Sequence, residues 1–365
     1  MANKNMQAFE DLLARIDKKL DFMAMNPLNE AAEQKKFFAK PGYNPVFKYP
    51  APSSGTGKLF RKAEEIRLVE GVVSLWLLEK LDKFRKIDEL MHSIDTEKFT
   101  MLSQEIFGAP DDALVRNAYQ ILKKEPVHEE NSLSSEQVCS ALRNVLDEFR
   151  LKDWKVEVKK MAANAAVLNS RRLVCVQKDA KFPESFLKRV VAHEIGTHVF
   201  RGANGEKQPY RIFKTGLPDY LMTEEGLAVN VEEMNDCLKI NTLRAYAGRV
   251  IAVKLSLESG FRKIYDELRK SFDERLAWKL TLRAKRGLRN TSLPGAYTKD
   301  HLYLKGYYEI KKFLAEHSNA GLKALYYGRI SFEQALLINS MDELKEPDLL
   351  PDSEKFKKIM YDLTV

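Results

Sequence analysis

Two histidines that lie five residues apart in an apolar segment, VVAHEIGTHVF at residues 190–200, place the strongest geometric demand on this chain. In a regular α-helix each residue turns by about 100°, so positions five apart are separated by about 140° and point away from each other. A π-type turn, closed by hydrogen bonds between residues i and i+5, absorbs the extra residue and returns both imidazoles to one face. Gly196 lies inside that turn and makes the distortion easier. The segment predicts either two unrelated histidines or a helix with a π bulge.

Three features favour a shared metal over two unrelated histidines. A buried imidazole without a partner is costly, and the segment around His193 and His198 is largely apolar. The chain has only six histidines, and two of them lie here. Downstream, TEEGLA at residues 223–228 offers a third ligand, because zinc sites with two histidines commonly add a glutamate and keep one position for water. Helix periodicity by itself leaves both Glu224 and Glu225 open for this role.

The composition is that of an ordinary globular protein in a reducing compartment. The 365 residues, 44% hydrophobic and 31% charged, suffice for one large domain or two smaller ones. The three cysteines are far apart and odd in number, which is typical of a cytoplasmic protein without disulfides. We expect neither a signal peptide nor a membrane span, because the N-terminal segment contains acidic residues and no apolar run is long enough. The net charge is +8, but basic and acidic residues are interspersed along most of the chain. We therefore expect the charges to lie mostly on solvated helix faces.

The pattern of the chain changes near residue 150. Residues 1–150 have mainly helical periodicity, and this includes a long pattern from Lys58 to Met91. Residues 151–365 contain the only β signal, in WKVEVKKM, NAAVLN and RRLVCVQ, before the histidine helix. Residues 202–222 are predicted to form a long loop. We therefore predict a mainly α (α+β) fold, with an N-terminal helical region at 1–150 packed against a catalytic region at 151–365 as one compact unit.

HEIGTH followed by TEEGLA resembles the microtubule-associated tyrosine carboxypeptidases and their bacterial relatives, the QEGLA-motif proteins. Matching pieces lie on both sides of these motifs: YNPVFKY at 43–49, FRGANGEKQP at 200–209 and TKDHLYLKG at 298–306. The resemblance extends from about residue 20 to residue 335. It implies a zincin-like metallopeptidase with a small β-sheet before the active-site helix.

The resemblance also implies a ligand set for Zn²⁺. It assigns His193, His198 and the glutamate before glycine, which is Glu225, because the QEGLA form has glutamine at the preceding position. The implied activity is that of a zinc carboxypeptidase that removes a C-terminal tyrosine or another aromatic residue from a peptide or protein. The long polar N-terminal extension of the animal enzymes does not precede this sequence, so we do not expect microtubule binding.

Other residues have predicted roles in that chemistry. Glu194 is not a ligand and would act as the general base for the attacking water. Tyr303, within TKDHLYLKG, is predicted to stabilise the oxyanion, with Tyr297 and Tyr307 as alternatives. The C-terminal carboxylate of the substrate needs a cationic partner. The candidates lie in the basic stretches on either side of SLPGAY: Arg283, Arg286 and Lys299.

Three other functions compete with this hypothesis. The first is a metal-binding regulator of gene expression, a role that the label of some bacterial relatives suggests; an intact Glu194 beside two histidines argues against a purely binding protein. The second is a zinc endopeptidase or aminopeptidase. The third is nucleic-acid binding, which no helix-turn-helix, RNP-like or zinc-finger pattern supports.

Overall fold

The computed structural model describes residues 2–20, 22–52, 55–161, 163–338 and 340–363. The protein is mainly helical with two small β-sheets, which confirms the predicted α+β class. It divides into two compact units: residues 1–125 with 243–304, and residues 126–242 with 305–365. The sequence predicts a division at the single point of residue 150, and that division stays a prediction. None of the described helices is long and apolar enough to cross a membrane.

The first unit begins with a series of amphipathic helices. They are α1 (Ala2–Asp17), a 3-10 turn (Phe22–Met25), α2 (Glu30–Ala39), α3 (Thr56–Glu64), α4 (Val72–His92), α5 (Lys98–Phe107) and α6 (Asp112–Leu122). The long pattern predicted from Lys58 to Met91 is therefore two helices. Residues 65–71 separate them, and none of these residues is buried, so a helical connection would gain no packing there.

The second unit contains both sheets and the histidine segment. Its elements to residue 234 are β1 (Asn131–Ser134), α7 (Ser135–Glu148), β2 (Lys155–Lys159), β3 (Ala165–Leu168), β4 (Leu173–Gln177), β5 (Lys181–Pro183), α8 (Glu184–Val190), a π-helix (Val191–Val199), α9 (Phe200–Glu206), α10 (Ile212–Thr215) and α11 (Tyr220–Met234). Ser134 is the N-cap of α7 and forms a capping box with Gln137.

The remaining helices are shared between the two units. They are α12 (Ile240–Ser256), α13 (Phe261–Leu268), α14 (Glu274–Lys285), a 3-10 turn (Thr298–His301), α15 (Leu302–Leu325), α16 (Phe332–Ile338) and α17 (Glu354–Asp362). In the first unit, α13 and α14 pack on α2 through an aromatic cluster. The ring of Phe37 lies 5.2 Å from that of Phe261, 4.8 Å from that of Tyr265 and 5.1 Å from that of Trp278.

The predicted strands form a three-stranded sheet in the order β2-β4-β3. The central strand β4 runs parallel to β2 and antiparallel to β3, with Val174 opposite Val156 and Val167. Residues 173–176 of β4 are all buried, as expected for a central strand, whereas β3 is half-buried along its length. β3 contacts the π-helix, so the sheet lies beside the histidine segment.

The prediction of a long loop at residues 202–222 is wrong, because most of this segment is helical. Its glycines have a packing role instead of a turn role. A Cβ at Gly202 would lie 2.0 Å from Oδ1 of Asn169, and one at Gly205 would lie 2.4 Å from the carbonyl oxygen of Phe213. Glycine here permits helix α9 to approach its neighbours closely.

Candidate metal centre and active site

The histidine segment forms a π-helix over Val191–Val199, continuous with α8 before it and α9 after it. This confirms the predicted π geometry, and the segment is longer than the single turn that the histidine spacing requires. As a result His193 and His198 lie on the same side, with ring centroids 5.0 Å apart. A π-helix of this length is rare, and such segments occur mostly at functional sites.

Gly196 allows another helix to lie directly against the π-helix. A Cβ at this position would lie 2.7 Å from Cζ of Phe356 in α17. The hydroxyl of Tyr326 also donates a 2.7 Å hydrogen bond to the Gly196 carbonyl. Gly196 is not among the glycines with positive φ, so close packing, and not an unusual backbone angle, requires glycine here.

Three side chains of types that bind metal ions converge at one point. Ligand atoms of His193, His198 and Glu225 all lie within 4.8 Å of one another. Oε2 of Glu225 is 3.9 Å from Nε2 of His193 and 4.0 Å from Nε2 of His198. A tetrahedral zinc site has ligand bonds of about 2.0–2.2 Å and hence ligand atoms ~3.4 Å apart. Small side-chain movements would bring these three atoms to that spacing, so the residues fit a zinc ion.

A carboxylate next to Nδ1 orients each of the two imidazoles. Nδ1 of His193 lies 2.7 Å from Oε1 of Glu232, and Nδ1 of His198 lies 2.9 Å from Oε1 of Glu224. A hydrogen bond to a carboxylate places the proton on Nδ1 and leaves the lone pair on Nε2. Carboxylates hold metal-bound histidines in the same way in many zinc sites. The two Nε2 atoms that face Glu225 are thus prepared as ligands.

Glu224 faces a buried cationic cluster and not the space between the imidazoles. It forms an ion pair with Arg201, which is fully buried, and its Oε1 lies 3.3 Å from Nε of Arg329. Burial would raise the pKa of Glu224, but the charges of Arg201 and Arg329 and the hydrogen bond with His198 lower it to about 2. Glu224 is therefore an ionised carboxylate that orients His198, and Glu225 has the geometry of the ligand.

The carboxylates around His198 change its pKa. Burial alone would lower its pKa, but the hydrogen bond to Glu224 and the negative charges of Glu224, Glu194 and Glu225 raise it. The local field is thus strongly negative, which favours a cation in this position.

Glu194 is buried beside the ligands but lies outside their cluster. Among the described residues, no hydrogen bond or ion pair involves its carboxylate. A carboxylate that is close to a metal site and not engaged by protein donors can accept a proton from a water molecule. This position suits the general base predicted from the sequence.

A pair of glycines positions the helix that carries Glu225. Gly226 in α11 and Gly306 in α15 lie at a point where the two helices cross in direct backbone contact. A Cβ at Gly226 would lie 2.2 Å from the carbonyl carbon of Gly306. Backbone atoms cannot move aside as a flexible side chain can, so this crossing depends on both glycines.

Gly226→Ala is therefore expected to displace α11, lower the metal content and reduce the free energy of unfolding by about 1–3 kcal/mol. Elemental analysis and thermal unfolding would measure the two effects. Gly57→Ala in α3 is a matched control, because a Cβ there meets nothing within 4 Å. Normal metal content and an unchanged unfolding temperature in Gly226→Ala would contradict this role for the glycine pair.

The predicted carboxylate-binding residues lie together in the first unit. Arg283 binds both oxygens of Asp300, and Nη2 of Arg286 lies 3.7 Å from the same carboxylate. Nζ of Lys299 lies 5.7 Å from the ring centre of Tyr303, which stacks on Tyr246 at 5.4 Å. The roles predicted for these residues and for Tyr303 stay predictions.

The two alternative tyrosines have other surroundings. Tyr297 is buried against Phe107, and burial raises its pKa to about 12. The hydroxyl of Tyr307 donates a 2.8 Å hydrogen bond to Glu233, which also binds Lys311. Both residues therefore have packing or hydrogen-bonding roles in the fold.

Sequence reasoning missed Glu232, Arg201 and Arg329. Glu232 follows Glu225 by seven residues, which is two helical turns, so both lie on the same face of α11. That spacing was a usable signal. The arginines that surround Glu224 had no such signal, because Arg329 is distant in the chain and only the fold brings it to this site.

One protein family matches this chain along most of its length. The family model for microtubule-associated tyrosine carboxypeptidase matches residues 35–363. The rat microtubule-associated tyrosine carboxypeptidase 1 is 25% identical over 354 residues, which cover 92% of this chain and 66% of the rat protein. The mouse putative tyrosine carboxypeptidase MATCAP2 is 31% identical over 183 residues, which cover 47% of this chain and 34% of the mouse protein.

This chain thus spans just under two thirds of the length of the rat relative, and the mouse microtubule-associated tyrosine carboxypeptidase 1 has the same coverage. The family match extends over almost the whole chain and includes both the histidine segment and Glu225. The chain belongs to the microtubule-associated tyrosine carboxypeptidase family.

Proposed function

We propose that this protein is a zincin-like, zinc-dependent carboxypeptidase that removes a C-terminal tyrosine or another aromatic residue from peptides or proteins. The observation that carries the proposal is the convergence of Glu225 with the Nε2 atoms of His193 and His198, while carboxylates hold both Nδ1 atoms. The names of the relatives supply the carboxypeptidase reaction and the tyrosine preference.

The donor set supports zinc over harder cations. Two imidazole nitrogens and one carboxylate oxygen are typical of catalytic zinc sites, whereas magnesium and calcium prefer oxygen ligands alone. When bound, zinc lowers the pKa of a coordinated water to about 7 and polarises the carbonyl of the scissile bond. Glu224 and Glu232 hold the imidazoles in the orientation that this requires.

The proton transfers belong to Glu194. Its carboxylate accepts a proton from the attacking water and then donates it to the nitrogen of the leaving amino acid. Glu194 is buried beside the ligands, and no side chain or backbone group among the described residues donates a hydrogen bond to its carboxylate, which supports this role. Tyr303 is proposed as the hydrogen-bond donor to the oxyanion.

The outer strand of the three-stranded sheet offers a place for an extended substrate. β3 pairs with β4 on one side and contacts the π-helix. A peptide could add to β3 as a further strand through main-chain hydrogen bonds, a common mode of peptide recognition. This arrangement would orient the substrate backbone with respect to the histidine segment.

The test combines metal analysis with peptide cleavage. We expect about one zinc per chain, and we expect a peptide that ends in free tyrosine to lose that one residue. Its C-terminally amidated form should be cut far more slowly, because the amide lacks the charge-assisted hydrogen bonds of the carboxylate. Mass spectrometry distinguishes the products.

Three results would contradict the proposal. Equal cleavage of acid and amide at internal bonds would indicate an endopeptidase, and loss of residues from the amino end would indicate an aminopeptidase. Zinc binding without hydrolysis of any peptide in a library with varied C-termini would favour the metal-binding regulator. The expectation that this chain does not bind microtubules stays a prediction.

A further inference from the structure

The π-helix changes to an α-helix at its C-terminal end, and this change alters the pairing of the backbone. In a π-helix each N–H group donates to the carbonyl five residues earlier, whereas in an α-helix it donates to the carbonyl four residues earlier. Where the first pattern gives way to the second, two successive N–H groups reach carbonyls that are two residues apart. The carbonyl between those two receives no N–H group from the helix.

The hydrogen bonds of Phe200 place this carbonyl at Gly196. The N–H group of Phe200 donates to Ile195, five residues earlier, and also to Thr197, three residues earlier. The α-helix α9 begins at Phe200, so the pattern changes at this residue. Gly196 lies between the two acceptors and is buried. A buried carbonyl without a donor is costly, so another group has to pair with it.

Tyr326 supplies the missing donor, through the 2.7 Å hydrogen bond from its hydroxyl to the Gly196 carbonyl. The side chain of Tyr326 is fully buried. Burial raises the pKa of the hydroxyl far above its usual range, so the group stays protonated at neutral pH. Any buried tyrosine needs an acceptor, but this one pairs with the carbonyl that the helix leaves open.

The backbone on both sides of Tyr326 is anchored to α9. Nε of Arg201 donates to the carbonyls of Leu325 and Gly328, at 2.9 and 3.0 Å. Its Nη2 donates to the carbonyl of Ile330 at 2.5 Å. Arg201 has no exposed surface. A buried and fully bonded arginine therefore fixes the segment that presents the Tyr326 hydroxyl.

The backbone pattern matters for the metal because it decides where His198 points. With α-helical bonds throughout, no carbonyl would be left open, but His193 and His198 would lie about 140° apart. With the π pattern both imidazoles lie on one side, and the Gly196 carbonyl needs an outside donor. The cost of an unpaired carbonyl would therefore fall only on the form that can bind metal, and it would weaken metal binding by that amount.

We infer that Tyr326 is a positioning residue for the metal site. Its hydroxyl stabilises the π pattern by pairing with the Gly196 carbonyl, and the π pattern keeps His198 on the same side as His193. Tyr326 acts through the backbone of the π-helix and not as a ligand. This inference rests on the proposed function for the identity of the metal, while the hydrogen-bond pattern stands independently of it.

The test compares the zinc affinity of the wild type and of Tyr326→Phe by competition with a chelator. Phenylalanine keeps the ring and its packing and removes only the donor. We expect the zinc affinity to fall by about 10-fold or more, because the metal-bound form then contains an unpaired buried carbonyl. Thermal unfolding without metal should change little, because the metal-free segment can adopt the α pattern. A purely structural role would give the opposite result.

Two variants serve as controls for this comparison. The hydroxyl of Tyr49 also donates to a backbone carbonyl, that of Leu288 at 3.2 Å, but it belongs to the first unit. Tyr49→Phe should lower the unfolding temperature and leave the zinc affinity unchanged. Tyr326→para-aminophenylalanine returns a hydrogen-bond donor to the same position and should restore part of the affinity. It also replaces Tyr326→Phe in the comparison if that variant does not fold, with an affinity below that of the wild type as the expected result.

The outcomes distinguish this inference from the proposed function. Wild-type zinc affinity in Tyr326→Phe would overturn the inference. So would an equal loss in Tyr49→Phe, or a loss that the amino group does not restore. If zinc affinity depends on the Tyr326 hydroxyl but the wild-type protein cleaves no peptide, the positioning role stands and the proposed hydrolysis fails. If the wild-type protein binds no zinc, both fail.

Discussion

Glu194→Gln is expected to abolish peptide hydrolysis while the protein keeps its metal. Glu194 lies outside the cluster of ligand atoms, so the substitution removes no ligand. Glutamine has nearly the same size but cannot accept a proton from water, and general base catalysis typically contributes about 10²–10⁴-fold to the rate. The zinc content should remain close to that of the wild type, and the cleavage rate should fall by at least this factor.

Elemental analysis and a quantitative peptide-cleavage assay measure the two effects on the same preparation. Glu184→Gln in α8 is the matched control, because Glu184 is exposed and lies one helix earlier on the same continuous segment. Loss of zinc in Glu194→Gln would mean that Glu194 is itself a ligand. A cleavage rate within about threefold of the wild type would exclude it as the general base, since the expected factor is far larger.

The second large effect concerns the three glutamates of α11, whose substitutions should have different consequences. Glu225→Gln should lower metal retention most, because it removes the carboxylate ligand. Glu232→Gln should lower the metal affinity by about 10- to 100-fold, the usual effect of losing a carboxylate that orients a metal-bound histidine.

Glu224→Gln should have a different signature. Arg201 is fully buried, and the substitution leaves its charge without a carboxylate, which costs about 3–5 kcal/mol in buried pairs. The variant should therefore unfold at a lower temperature even without metal, whereas Glu225→Gln should mainly lose the stabilisation that metal provides. A chelator titration followed by thermal unfolding of each variant measures both quantities.

A reversed order of metal loss would show that Glu225 is not the carboxylate ligand. If Glu224→Gln releases zinc while Glu225→Gln retains it, then Glu224 coordinates the metal. Equal metal affinity in the wild type and in a His193→Ala, His198→Ala double variant would contradict the whole site.

Several features of this protein follow from local sequence alone. If His193 and His198 share a metal, their spacing requires a π-type turn, because no regular α-helix brings both imidazoles to one face. Alternation of apolar residues in WKVEVKKM and RRLVCVQ indicates the strands β2 and β4, and NAAVLN between them contains β3. The start of α7 is also locally encoded, since the capping box of Ser134 and Gln137 depends only on residues three apart.

Tertiary structure decided the features that depend on residues distant in the chain. Periodicity could not separate Glu224 from Glu225, but Arg201 and Arg329 engage Glu224 and leave Glu225 directed toward the imidazoles. Glycines that looked like loop residues at positions 202 and 205 proved to be contact points inside a helix. A glycine in the sequence has the same letter whether it permits a turn or a close approach, and only the neighbouring element distinguishes the two.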